Sequence, residues 1–201
     1  MKLYYAKGTC SLAPHIVIRE AGLDDIILER VDLKTHTTAT QRDYLMINPM
    51  GAVPALELDN GELLTENAVL LQFLASLAPN SEIAMPAEGM ERWRLLELLN
   101  FIATEMHKGF SQLFAHPPEE WRVKATEKIK SRFALLTTKL GQKPYLTGER
   151  FSIADAYAFV MFVWAPRFEI VLPAELQAYA QRIRARQAVQ GALREEGLPT
   201  S

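Results

Sequence analysis

Strand-like segments in this chain stop at Leu64, and the chain after Pro86 reads as helical. Before that point, short β signals alternate with helical ones. Lys2 to Ala6 is short, apolar and aromatic, and a small-residue loop (Lys7-Gly8-Thr9) leads into a helical run from Leu12 to Ala21. Pro14 fits the first turn, where its missing N–H is not needed, and Gly22 supplies a stop. Ile27 to Asp32 reads as a second strand, and a polar stretch, Lys34 to Arg42, precedes a weaker helical segment near Tyr44 and Met46. Ala55–Leu58 and Glu62–Leu64 flank Asp59-Asn60-Gly61, a strong hairpin signal because Asn-Gly tolerates positive φ. Thr65-Glu66-Asn67 then opens a helix to about Leu77. The order β-α-β, connecting helix, β-β-α predicts a small mixed sheet with helices on its faces.

The predicted organisation is therefore α+β: residues 1–78 as one domain, 79–86 as a linker and 87–201 as an all-helical domain. Helices are expected over roughly 87–114, 119–140, 152–168 and 173–186, with a short one ending near Gly197. Phe151-Ser152-Ile153-Ala154-Asp155 is a capping box before the most apolar helix, a folding signal for the core of the second half.

Composition narrows the function. The 201 residues are 49% apolar and 23% charged, with a formal net charge of −2 and no basic cluster, which argues against a nucleic-acid partner. The longest apolar run, Ala156 to Ala165, is too short to span a bilayer, and Lys7-Gly8 interrupts any signal-peptide core. A single cysteine allows no internal disulfide, so a cytoplasmic protein without a membrane partner is expected. No metal-ligand cluster and no nucleotide-binding loop is seen.

Cys10 lies in a Gly-Thr-Cys-Ser loop at the start of the first helix, where unpaired N–H groups and the helix dipole favour a thiolate. Position i+3 is Ala13, so no second thiol can exchange with it. Val53-Pro54 precedes a strand. A cis bond there would free the backbone of Val53 to pair with an extended ligand, whereas an ordinary loop proline would not. Glu66 and Asn67 at a helix start suit an amino-acid head group carrying both charges, or simply cap the helix. On the long helix, Glu97, Asn100, Thr104, His107, Lys108 and Ser111 form a polar stripe, in which His107-Lys108 could hold a nearby thiolate. His15 and His116 receive no role.

Together these residues resemble the glutathione transferases, and in particular their bacterial beta class. The likeness rests on G-T-C-S-L-A-P-H, N-P-M-G-A-V-P-A-L, L-L-T-E-N, N-F-I-A-T-E-M-H-K-G-F and F-S-I-A-D-A-Y, in that order. It implies a thioredoxin-like first domain that binds glutathione, and a homodimer in which the partner's helical domain helps. By the same resemblance the Val53 backbone would pair with the cysteinyl part of glutathione, and Glu66 and Asn67 would hold the γ-glutamyl head. Asn100, Thr104 and Glu105 would assist, with His107 and Lys108 flanking the sulfur. Two positions depart from the family pattern: Asn67 stands where Ser or Gly is common, and His36, with Lys34 two residues earlier, stands where a lysine usually meets the glycyl end.

The expected chemistry is conjugation of the glutathione thiolate to apolar electrophiles, with Cys10, His107, Lys108 and Ser11 as catalytic candidates. Tyr5, Phe110 and Trp164 are the expected apolar site. A glutathione-dependent thiol transferase or peroxidase, working through a Cys10 mixed disulfide, is the second reading. A non-catalytic carrier or scaffold is the third.

Overall fold

The computed structural model describes residues 1–200. By packing, the chain divides into two units: Met1–Ala84 together with the segment from Arg186 onward, and Met85–Ala185.

The first unit is built on a five-stranded sheet of order β3-β2-β1-β4-β5. Strand β1 (Lys2–Tyr5) pairs in parallel with β2 (Ile27–Asp32) and antiparallel with β4 (Ala55–Glu57), while β5 (Leu63–Leu64) pairs antiparallel with β4. The sequence gives no strand signal for β3 (Thr37–Thr38), which pairs antiparallel with the end of β2. Two residues are too few for an alternating pattern to register. The weak helical segment is a single 3-10 turn, Tyr44–Met46, with Asp43 accepting from the Leu45 N–H at its start. The hairpin loop closes with Gly61 N–H donating to Leu58 O at 3.0 Å, and Gly61 alone of the loop takes positive φ. That fits a three-residue loop with a left-handed glycine, not the two-residue turn that Asn-Gly suggests.

Helix α1 (Leu12–Ala21) is buried along Leu12, Ala13, Ile16, Val17 and Ile18, and Gly22 ends it in the left-handed conformation. It packs against α2 (Asn67–Ser76), which buries Leu70, Leu71 and Leu74. The other sheet face closes over Tyr4, Val31, Tyr44, Val53 and Ala55.

In the second unit, the predicted 87–114 helix is α3 (Gly89–Phe101), a π-helical segment Ile102–His107 and α4 (Lys108–Phe114). Helix α5 is Glu119–Leu140 and α6 is Ile153–Trp164, followed by a 3-10 turn Ala165–Phe168 containing Pro166, and then by α7 (Ala174–Arg184). Helix α6 is the core element, buried at eleven of its positions. Its capping box forms: Ser152 N–H donates to Asp155 Oδ2 at 2.7 Å, and Leu146 N–H to Asp155 Oδ1 at 2.8 Å. The Tyr179 hydroxyl also donates to Asp155.

The last helix, α8 (Gln187–Glu195), differs from the sequence-based division, which assigns everything from 87 onward to one domain. It packs on α1 and buries Val189, Ala192 and Leu193, so it completes the first unit. Among the described residues no helix is long and apolar enough to cross a membrane.

Candidate functional site

Of the residues singled out in the sequence, Cys10, Val53 and Asn67 meet in the first unit. Cys10 sits one residue ahead of Ser11, the N-cap of α1, and its thiol donates to Val53 O at 3.1 Å. The Val53–Pro54 peptide is cis. Among the described residues the Val53 N–H has no hydrogen-bond partner, so the chain here offers a donor at an open backbone edge. Asn67, at the first position of α2, donates its side-chain N–H to Cys10 O at 2.9 Å. This changes the expectation for Asn67: its amide is engaged with the Cys10 loop, and its buried Oδ1 lacks a partner.

Glu66 precedes α2 at φ 67°, ψ 113°, an unusual conformation for a side-chain-bearing residue. Its side chain makes no capping bond and its carboxylate is exposed, so plain side-chain capping is not its role. The N–H groups of Asn67 and Ala68 are likewise unpartnered among the described residues. A helix start with free N–H groups beside an exposed carboxylate suits a ligand group carrying both charges.

Burial pushes the Cys10 thiol up to about 12; its own N–H and that of Ser11 pull it down, and the Glu66 and Glu196 carboxylates add to the rise. The expected thiolate is therefore not what this fold sets up. The helix-terminal N–H groups are present, but desolvation outweighs them, and the protonated sulfur acts as a donor.

Ser11 also differs from its expected role. Its hydroxyl is fully buried, accepts from Ala6 N–H at 3.1 Å and shares a 2.8 Å contact with the Thr9 hydroxyl. It ties the β1–α1 loop together and offers nothing to a ligand. His36 adopts φ 52°, with its backbone carbonyl accepting from Tyr44 N–H and a buried Nδ1 that has no partner. Lys34 is exposed.

The remaining residues lie in the second unit. The π-helical segment carries Thr104, Glu105 and His107, and such insertions recur at functional sites. His107 Nδ1 is 2.7 Å from the Tyr157 hydroxyl, and its ring packs 5.2 Å from that of Trp164. Burial, with the Lys108 charge adding, lowers its pKa to about 4. It is a neutral imidazole near pH 7, which corrects the expectation of a cationic partner for a thiolate. Lys108 is exposed on the same stripe. Asn100 and Thr104 are exposed, though the Thr104 hydroxyl donates to Asn100 O at 2.9 Å. Glu105 is taken up by Arg132 at 2.8 Å and Lys128 at 3.4 Å. Phe110 and Trp164, expected to line an apolar site, are buried; Phe110 packs against Phe133 and Phe168, and Trp164 against Phe114. They form core because Phe110 is enclosed by the rings of Phe133 on α5, Trp164 on α6 and Phe168 in the 3-10 turn.

Two family models match the chain: the glutathione S-transferase N-terminal domain over residues 9–77 and the C-terminal domain over residues 101–187. The chain belongs to the glutathione S-transferase family. Glutathione S-transferase GstA of Escherichia coli O157:H7 is 40% identical over 201 residues, covering 98% of this chain and all of the relative. A sphingomonad glutathione S-transferase, solved in complex with glutathione, superposes with a TM-score of 0.92 at 42% identity, covering 99% of this chain and 100% of the other. The bacterial beta class enzyme of Sphingomonas chungbukensis gives 0.93 at 40% identity over the same shares. The transferase fold is thus a thioredoxin-like N-terminal domain with a mixed sheet followed by a helical C-terminal domain.

Sequence reading missed one group of this transferase altogether. Buried His15 meets buried Glu196 and half-exposed Glu195 in the first unit, across 180 residues of chain or more. Nothing local in the sequence announces such a cluster.

Proposed function

We propose that the protein is a glutathione transferase of the bacterial beta class, which joins the sulfur of glutathione to electrophilic carbon in small apolar molecules. The observation that carries this reading is the open edge around Cys10. The unpartnered Val53 N–H, the free first-turn N–H groups of α2 and the exposed Glu66 carboxylate present the donors and acceptor that a γ-glutamyl peptide needs. The family membership and the glutathione-bound relative support it.

In this reading Val53 pairs with the cysteinyl backbone, the start of α2 takes the γ-glutamyl carboxylate, and Glu66 takes the ammonium group. Asn67 has its N–H committed to Cys10 and offers Oδ1 as an acceptor for the same ammonium. His36 serves the glycyl end. Asn100, Thr104, Glu105, His107 and Lys108 are the second domain's contribution, with Lys108 the cation and His107 a neutral hydrogen-bonding group. Glutathione gives up its thiol proton to solvent, its sulfur forms a bond to the electrophilic carbon, and either a leaving group departs with the bonding pair or a double bond is saturated and takes up a proton from solvent. Cys10, held protonated with its S–H on Val53 O, borders the reacting sulfur without attacking it. This favours conjugation over the mixed-disulfide chemistry of a thiol transferase, which needs a thiolate at Cys10.

The reading extends to a homodimer and to a reducing compartment such as the cytoplasm. Exposed Met46 and Met50 in the first unit, and Met90 and Trp93 in the second, are apolar surface that a second copy would cover. The domain limits proposed are 1–78 for the glutathione-binding domain, 79–86 for the linker and a helical domain from 87, with α8 returned to the first.

Calorimetric titration with reduced glutathione, alongside Glu66→Ala and Cys10→Ser, tests the site. Micromolar to millimolar binding, weakened at least tenfold by Glu66→Ala, is expected. Turnover of an activated aryl halide by Cys10→Ser should fall without vanishing. Absence of binding by the folded wild type would overturn the proposal.

A further inference from the structure

His15 is fully buried in the first turn of α1, and its two ring nitrogens face consecutive carboxylates at the end of α8. Nδ1 lies 3.0 Å from Glu196 Oε1 and Nε2 lies 2.7 Å from Glu195 Oε2. Ionised carboxylates only accept, so both contacts are hydrogen bonds when both ring nitrogens carry hydrogen. Glu195 also meets Arg19, which reaches Asp24 in turn. Glu196 is only 4% exposed, and its second oxygen accepts from Gly8 N–H at 2.8 Å. The Tyr5 ring packs 5.8 Å from that of His15.

Gly8 stands two residues before Cys10. The chain end presses on this loop at two further points: a Cβ on Gly8 would meet Leu198 at 3.3 Å, and one on Gly197 would meet the Lys7 ammonium at 3.2 Å. Val189, Ala192 and Leu193 supply the apolar burial of α8. A carboxylate buried beside them is costly unless it is hydrogen-bonded. The hydrogen-bonded geometry found here points at the loop.

We infer that Glu196 is a positioning residue for Cys10: clamped by His15, it anchors the Gly8 end of the loop that presents the thiol and sets a negative charge behind it. The loop's other fastenings are the Ser11 hydroxyl on Ala6 and the Asn67 amide on Cys10 O. The titratable and charged groups around this region are Glu66 before α2, Glu196 at the end of α8 with Glu195 turned away onto His15 and Arg19, His15 and Arg19 on α1, and Lys7 in the loop itself. The rise that Glu66 and Glu196 cause in the thiol agrees with this placement. The inference rests on the proposed function only in giving Cys10 a part in the reaction.

Because Cys10 is the only cysteine, alkylation by iodoacetamide reads it alone and needs no glutathione. Rates between pH 7 and 10 should rise tenfold per pH unit, since only the thiolate reacts. Glu196→Gln keeps the shape and removes the charge; about threefold faster alkylation at each pH is expected. His15→Gln removes the Nδ1 partner of Glu196 and should slow the reaction by about the same factor. Glu195→Gln, which faces Arg19 and His15 but not the loop, should leave it unchanged. An unchanged rate in Glu196→Gln, or equal acceleration in both Glu196→Gln and His15→Gln, the sign of mere loosening, would overturn the inference. Should His15→Gln not fold, equal rates for Glu196→Gln and Glu195→Gln would overturn it by themselves. Loss of conjugation in the wild type would sink the proposed function and leave this readout standing.

Discussion

The Asn67 amide is the fastening whose removal has the clearest signature. Its N–H bridges α2 to Cys10 O at 2.9 Å in a part-buried setting, while Oδ1 is buried without a partner. Asn67→Ala removes one net hydrogen bond, worth about 1 kcal/mol, while the Cys10 carbonyl keeps the Ala13 N–H at 3.2 Å. Deleting the orphan Oδ1 returns part of that, so a net loss of about 0.5 to 1 kcal/mol is expected. For a chain of this size that is about 1 to 4 °C in Tm. Asn67→Asp keeps the volume but sets an acceptor against the Cys10 carbonyl and buries a charge near Glu66, for about 3 kcal/mol at neutral pH. The sign of its pH dependence follows. The folded state prefers the protonated acid, which can donate to Cys10 O, so the folded pKa is raised. The deficit should be small below the unfolded carboxyl pKa and grow as pH rises through the folded value. Urea unfolding followed by circular dichroism at pH 4 and pH 7.5 reads both variants. Wild-type stability in Asn67→Ala, or an equal deficit at both pH values in Asn67→Asp, would refute the reasoning.

Three further outcomes follow from the geometry. Glu66→Gly should raise stability by about 0.5 to 1 kcal/mol, because relief of the φ 67° strain exceeds the entropy cost of glycine, while calorimetry reads weaker glutathione binding. Gly51→Ala should cost about 2 kcal/mol in urea unfolding, since φ is 62° and the new Cβ would lie 2.7 Å from His36 Cε1. His107, with a folded pKa lowered to about 4, contributes stability that is present above pH 6.5 and lost as pH falls through 4. Between pH 7 and pH 5 the wild type should therefore lose about 2 kcal/mol more than His107→Gln, with equal losses contradicting the neutral imidazole.

What the sequence made legible was local. The Gly22 stop, the Ser152–Asp155 capping box and the Asn-Gly loop each act through neighbours within a few residues, and each forms. The site residues were legible as positions, not as states. A cysteine before a helix N-terminus reads as a thiolate, but the desolvation that reverses this comes from distant packing around the loop. A histidine beside a lysine reads as cationic, yet burial against Tyr157 and Trp164 makes it neutral. His15 was illegible for the same reason in its strongest form. Leu12 to Ile18 is so apolar that a histidine among them looks like a tolerated core residue, and Glu195-Glu196 looks like a solvated helix end. Only folding α8 back onto α1 turns those two unremarkable features into a hydrogen-bonded cluster reaching Gly8. Held by His15, the Glu196 carboxylate fastens the Gly8 end of the loop that carries Cys10. The end of the chain therefore belongs to the site as much as the Cys10 segment does.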